Sequence, residues 1–167
     1  MKIAIANDHA AVALKNEIKQ MLEEQGMEVI NFGTDTNDSC DYPDFGSKCA
    51  RAVANHEADY GIVICGTGIG ISIACNKIKG IRCALCKDVT DARLTREHND
   101  ANILSMGART TGPETAKDIV NTFLNTPKEP TTSAVLPKSR IWKAENNKAG
   151  FEPRILLLLI LILLDGF

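Results

Sequence analysis

The amino-acid sequence predicts an α/β protein: a three-layer α/β/α sandwich on five parallel strands in the Rossmann/flavodoxin-like order 2-1-3-4-5, spanning residues 1–125. Three observations predict it. Short apolar runs alternate with amphipathic stretches, without a break, as far as Leu124, which is how an open parallel sheet with right-handed crossovers is written. The connections are short. Polar and reactive residues gather at strand-end loops, where ligands of such sheets bind.

Residues 2–6 form the first strand, ended by Asn7-Asp8-His9. Ala11, Leu14, Ile18, Met21 and Gln25 then recur at helical spacing, with Lys15, Glu17 and Lys19 expected on the outer side. Gly26 stops that helix and residues 27–32 form the second strand. A polar loop from Gly33 to Asp41 leads into Tyr42-Pro43-Asp44 and a helix carrying Cys49, Ala50, Ala52 and Val53. Residues 60–64 are β-branched and apolar throughout, so they read as a strand buried on both faces. They deliver Cys65-Gly66-Thr67-Gly68-Ile69-Gly70, and a helix opens there. After Lys79-Gly80, residues 81–86 form the fourth strand. Lys87-Asp88 caps a helix running to about Glu97, and His98-Asn99-Asp100 ends it. Residues 102–106 form the fifth strand. Gly112-Pro113-Glu114 starts the last helix, with proline and an acid in the first turn and Ala116, Ile119, Val120, Phe123 and Leu124 as its buried stripe.

At 167 residues the chain is long enough to bury a core unaided. A net charge of -2 excludes the basic field that nucleic acid requires. The six cysteines lack disulfide-framework spacing, and the first strand begins at Lys2 with no signal peptide before it, so a reducing, cytoplasmic setting is expected. Cys83 and Cys86 match C-x-x-C, but positions three apart on a strand point to opposite faces, which reads as packing and not as a redox pair or zinc knuckle. The pattern breaks at Thr126. Residues 126–167 hold four of the six prolines and read as an irregular C-terminal extension with an apolar end. Its ten-residue apolar run, 155–164, would rise about 15 Å as a helix, roughly half a bilayer core, so packing within the protein or an oligomer is expected over membrane insertion.

The glycine loop is neither G-x-x-x-x-G-K-[ST] nor G-x-G-x-x-G, since position 71 is Ile, so ATP and NAD lack their mechanical basis. Two readings stand: a tight strand-to-helix turn, or a set of backbone N–H groups converging on an anion. Cys65 is either a small apolar residue ending a strand or a thiolate favoured by the helix N-terminus. Thr67 caps the helix or passes a proton between oxygens. Asp8 reads first as an N-cap and second as a catalyst, with His9 beside it. His98 suits a helix C-terminus by charge alone, Asn99 can donate to an oxyanion, and Arg109 can clamp a phosphate.

Together these residues carry a resemblance. Asn7-Asp8-His9-Ala10-Ala11, Gly33-Thr34, Asp41-Tyr42-Pro43-Asp44, Ile64 through Ser72, Ala74-Cys75-Asn76-Lys77, Gly80-Ile81-Arg82 and Arg96 through Asn102 resemble type B ribose-5-phosphate isomerase, in the family that also holds the allose- and galactose-6-phosphate isomerases. The resemblance implies interconversion of D-ribose 5-phosphate and D-ribulose 5-phosphate through a cis-enediolate, in the pentose phosphate pathway, with no metal and no cofactor. It implies a homodimer or homotetramer with shared active sites. By position, Cys65 matches the base that moves the proton, and Thr67, Asp8 and His98 match the groups that open the furanose ring. Gly66, Gly68 and Gly70 match the N–H groups around the enediolate, and Asn99 binds the same oxygen. His9 and Arg109 match phosphate positions. His98, Asn99 and Arg109 are expected to come from the neighbouring subunit.

The chain departs from the family after its last sheet helix. The family continues with a Gly-Gly-Arg-His segment and a further arginine that grip the phosphate. Here Thr126-Pro127-Lys128-Glu129-Pro130 follows, and Lys138 and Arg140 are cations of the extension. A hexose-6-phosphate isomerase and a sugar-phosphate-binding protein impaired in catalysis are the rival expectations.

Overall fold

In the computed structural model, residues 1–130 are described, and Met1–Glu129 form one compact unit. The apolar run 155–164, Lys138 and Arg140 lie outside the described residues. The elements follow in the expected alternation: β1 (Lys2–Asn7), a 3-10 turn (His9–Ala11), α1 (Val12–Glu24), β2 (Glu28–Asn31), α2 (Tyr42–Ala54), β3 (Tyr60–Cys65), α3 (Ile69–Cys75), β4 (Cys83–Leu85), α4 (Val89–Asn99), β5 (Ile103–Gly107) and α5 (Pro113–Asn125). No described helix is long and apolar enough to cross a membrane.

All strand pairings are parallel, in the order β2-β1-β3-β5-β4. The α/β architecture is as expected, but the last two strands exchange places relative to 2-1-3-4-5. Burial gives the reason. Every residue of β5 is buried, whereas the three residues of β4 are only half-buried. A strand whose two faces are both apolar gains most between neighbours, so β5 inserts beside β3 and the shorter β4 takes the edge.

Period-two alternation divides the core between the two faces of the sheet. Ile3 and Ile5 of β1, with Ile62, Ile64, Leu104 and Met106, face α1, α4 and α5, where Ile18, Leu22, Ile119 and Phe123 complete a core of large side chains. Ala4, Ala6, Val63 and Cys65 face α2 and α3, where Cys49, Ala50, Ile71 and Cys75 pack more closely. Cys83 joins this second core and Cys86 the first, the opposite-face placement expected of that C-x-x-C. All six cysteines are free thiols. Burial pushes Cys49 up, and a hydrogen bond with Cys75, with burial second, raises Cys83. Burial and the carboxylates of Asp91 and Asp88 push Cys86 up to about 12. These are packing thiols.

Lys15 is a second correction. Expected on the outer side of α1, it is fully buried. It lies one turn from both Ala11 and Ile18, on the face that α1 turns inward, and its ammonium pairs with Asp35 in the loop after β2. The shared Asp35 oxygen also accepts from Asn31 Nδ2 at 3.1 Å. Lys15 chiefly holds the Asp35 carboxyl below the usual carboxylate range.

Candidate active site

β3 ends at Cys65 in the middle of the sheet, and the glycine loop begins there. Cys65 is 4% exposed, and its Sγ accepts the Gly68 N–H at 3.1 Å. An N–H aimed at sulfur is the contact a thiolate accepts, and Cys49 and Cys75, whose Sγ atoms instead donate to carbonyl oxygens, are used differently. Gly68 has φ +76°, and a Cβ there would lie 2.5 Å from Leu85 Cδ1 and 2.8 Å from the Met106 carbonyl carbon. Only glycine satisfies both the backbone and the space. At Gly70 the constraint is different: a Cβ would meet the Tyr42 ring at 2.6 Å. The N–H groups of Gly66, Thr67 and Gly70 have no acceptor among the described residues, so they remain available to an oxyanion beside Cys65. Thr67 is exposed, and its Oγ1 accepts from Ile69 N–H at 3.4 Å, a weak cap that leaves the hydroxyl free to turn.

Backbone hydrogen bonds bring the neighbouring strand ends to this loop. Asp8 N–H donates to Ile64 O at 3.2 Å, Ala108 N–H to Cys65 O at 2.9 Å and Arg109 N–H to Gly66 O at 3.0 Å. Asp8 is 6% exposed and its Oδ1 caps the 3-10 turn by accepting from Ala10 N–H at 2.9 Å. The N-cap reading therefore holds, and Oδ2 has no partner among the described residues. His9 Nδ1 accepts from Cys40 N–H at 3.2 Å, which places the ring proton on Nε2. That proton is a donor suited to a phosphate. The Arg109 side chain lies over Gly66, with Nη1 3.4 Å from where a Cβ would sit. Arg109 thus sits at the loop of its own chain, whereas the resemblance implies a site in the neighbouring one.

His98 and Asn99 are not brought to this loop. They were expected among strand-end loops, but α4 carries the chain back across the sheet, about 16 Å for its 11 residues, before β5 begins. They lie at the amino edge of the strands, opposite Cys65. His98 is exposed there and its Nδ1 is 3.6 Å from Glu129 Oε2. Glu97, His98 and Glu129 present ligand atoms within 4.8 Å of one another, the one grouping among the described residues with metal-like spacing.

The family model described as Ribose/Galactose Isomerase matches residues 3–136. The chain belongs to that family. Among its relatives, ribose-5-phosphate isomerase B of Escherichia coli is 50% identical over 123 residues, 74% of this chain and 83% of that one. Galactose-6-phosphate isomerase subunit LacB of Clostridium acetobutylicum is 42% identical over 131 residues, 78% and 76% of the two chains. The solved structure of Clostridium thermocellum ribose-5-phosphate isomerase B superposes with a TM-score of 0.83 at 51% identity, covering 89% of this chain and 99% of that one. The chain is thus a sugar phosphate isomerase by family, with relatives that act on different sugars.

Two residues of this isomerase-family site escape sequence reasoning. Tyr42 opens α2, remains 38% exposed and lies over Gly70 at the mouth of the loop. Asp41-Tyr42-Pro43-Asp44 belongs to the resemblance, but no role at the loop is read for Tyr42 from the sequence. Ser105 is fully buried in β5, and its Oγ donates to Gly68 O at 2.7 Å, tying the loop down from beneath. A lone serine in an apolar strand is the signal for such a tie, but its partner is visible only in the fold.

Proposed function

We propose that this protein interconverts D-ribose 5-phosphate and D-ribulose 5-phosphate, with Cys65 as the base. The observation that carries the reading is the Cys65 sulfur at the end of a central strand, facing the Gly68 N–H and beside loop N–H groups that have no acceptor among the described residues. In the ring-opened aldose, the thiolate takes the proton from C2. The electron pair forms the C1–C2 double bond and O1 becomes the oxyanion that the loop N–H groups receive. The thiol returns its proton to C1, the proton on O2 passes to O1, and the carbonyl reforms at C2. The sum is an isomerisation that consumes no oxidant or reductant. Thr67 and Asp8 serve ring opening, and His9 Nε2 and the Arg109 guanidinium receive the phosphate. His98 and Asn99 complete the site from a second copy of the chain, a reading supported by their place at the edge away from their own Cys65.

A coupled assay for ribulose 5-phosphate formation tests this. Wild-type protein should turn over ribose 5-phosphate, and Cys65→Ser should lower kcat by about 10³-fold while substrate still binds. Wild-type rates in Cys65→Ser would refute the mechanism. The 42% identity to a galactose-6-phosphate isomerase subunit favours a hexose phosphate as the second reading. Faster turnover of galactose 6-phosphate or allose 6-phosphate than of ribose 5-phosphate would establish it.

A further inference from the structure

The end of α4 is locally unfavourable. Its C-cap, Asp100, has φ +47° and ψ +44°, a left-handed conformation that glycine or asparagine ordinarily fills. A carboxylate there also faces the negative end of the helix dipole. Cations compensate for both. Arg96 Nη1 donates to Asp100 Oδ1 at 3.1 Å, and Arg82 Nη2 donates to Oδ2 at 3.1 Å. Lys128 Nζ lies 4.0 Å from the same Oδ2. The two arginines then reach in different directions. Arg96 is 4% exposed and is anchored in the body of the protein. Its Nη2 donates to Tyr60 Oη at 2.9 Å and its Nη1 to Ala101 O at 2.5 Å, and its guanidinium lies 4.8 Å from the Tyr60 ring centre. Arg82 grips the chain beside His98: its Nε donates to Asp100 O at 2.7 Å and to Asn99 O at 3.1 Å.

A helix that needed only to stop would be better served by glycine. We propose that Asp100 is a positioning residue: by bridging the anchored Arg96 to Arg82, it fixes the backbone at Asn99 and so the direction in which His98 and Asn99 project toward the site of a second copy. The inference rests on the isomerase reading above. Rigidity matters here because the His98 side chain is 54% exposed, so little packing holds it, and an error of about 1 Å in a reacting group can cost 10²-fold in rate.

The test compares Asp100→Gly and Asp100→Asn in the wild-type and His98→Ala backgrounds. Glycine suits the φ of +47° and removes the bridge, so Asp100→Gly should fold, with Tm lower by only a few degrees. Its kcat on ribose 5-phosphate should fall about 10- to 100-fold with KM little changed, and Asp100→Asn, which keeps one acceptor, should recover part of the loss. In the His98→Ala background, Asp100→Gly should cost clearly less than in the wild type, because of the two groups it positions only Asn99 is left. An equal loss in both backgrounds, wild-type kcat in Asp100→Gly, or a change in KM alone would overturn the proposal. Slow His98→Ala together with wild-type Asp100→Gly would overturn it and leave the isomerase reading intact. Wild-type turnover in His98→Ala would instead overturn the role of His98 and the proposal with it. Ring-carbon NMR of the three histidines gives a readout independent of turnover. Asp100→Gly should broaden or shift His98 and leave His9 as it was, and an unmoved His98 signal would refute the bridge.

Discussion

At the carboxyl edge of the sheet, the Cys65 loop is held mainly by backbone and close contact: a left-handed Gly68 against Leu85 and Met106, Gly70 beneath Tyr42, and the Gly68 carbonyl tied to buried Ser105. At the amino edge, His98 and Asn99 project from a helix end held by charge, Arg96 to Asp100 to Arg82. The difference follows from what each edge presents. On the proposed mechanism the groups around the oxyanion must not move, and steric confinement with short hydrogen bonds supplies that rigidity. A helix end with little packing of its own is held instead by charge, through the buried Arg96 on one side and Arg82 on the other.

The comparison can be sharpened by variants at the carboxyl edge, beginning with the loss of about 10³-fold in kcat expected for Cys65→Ser. Gly68→Ala should come next. It adds a Cβ at 2.5 Å from Leu85 to a residue with φ +76°, so a loss of about 3 kcal/mol is expected in urea unfolding. A loss under about 1 kcal/mol would mean the loop is not sterically confined. Ser105→Ala removes one of the two donors to the Gly68 carbonyl, which keeps the Ser72 N–H at 3.2 Å, and should cost about 1 kcal/mol, with turnover lowered through the loosened loop.

Asp35→Asn probes an ionic tie at this same edge and should cost about 1 kcal/mol at neutral pH, since Lys15 is buried but Asp35 is exposed. The sign with pH is definite. The folded-state pKa of Asp35 is depressed below 3.8, so its contribution is complete above that value and fades as pH falls through the lower, folded value. Wild-type and Asp35→Asn unfolding curves should therefore converge in acid, and a gap that persists would remove the ion pair as the cause. Gly66→Ala should have the smallest effect on stability, within about 0.5 kcal/mol, because its Cβ would meet only the Arg109 side chain at 3.4 Å. It should raise KM by shifting that guanidinium, and an unchanged KM would place Arg109 outside the phosphate site.

Much of this was legible in the residues. The alternation of apolar runs and helical stripes located every strand and helix, because those patterns depend on neighbours a few positions apart. The buried stripe of α5 is the expected set, Ala116, Ile119, Val120, Phe123 and Leu124. The Cys65 loop and the Asp8-His9 pair, read together at strand ends, are the candidate site, and a hydrogen bond from Asp8 N–H to Ile64 O brings them side by side. Less legible were Tyr42 and Ser105, whose partners Gly70 and Gly68 lie far away in sequence, and Lys15, whose burial requires a carboxylate from another loop.

By itself the sequence determined the α/β alternation, the position of the glycine loop at the end of a central strand, and the family. Tertiary structure alone decided that β5 sits inside β4, that His98 and Asn99 occupy the edge opposite Cys65, and that Lys15 turns inward to Asp35. The physical reason is one of range. Periodicity and turn chemistry act over a few residues and can be read along the chain. Which strand gains most from two covered faces, and which edge a helix returns to, depend on surfaces that meet only after folding.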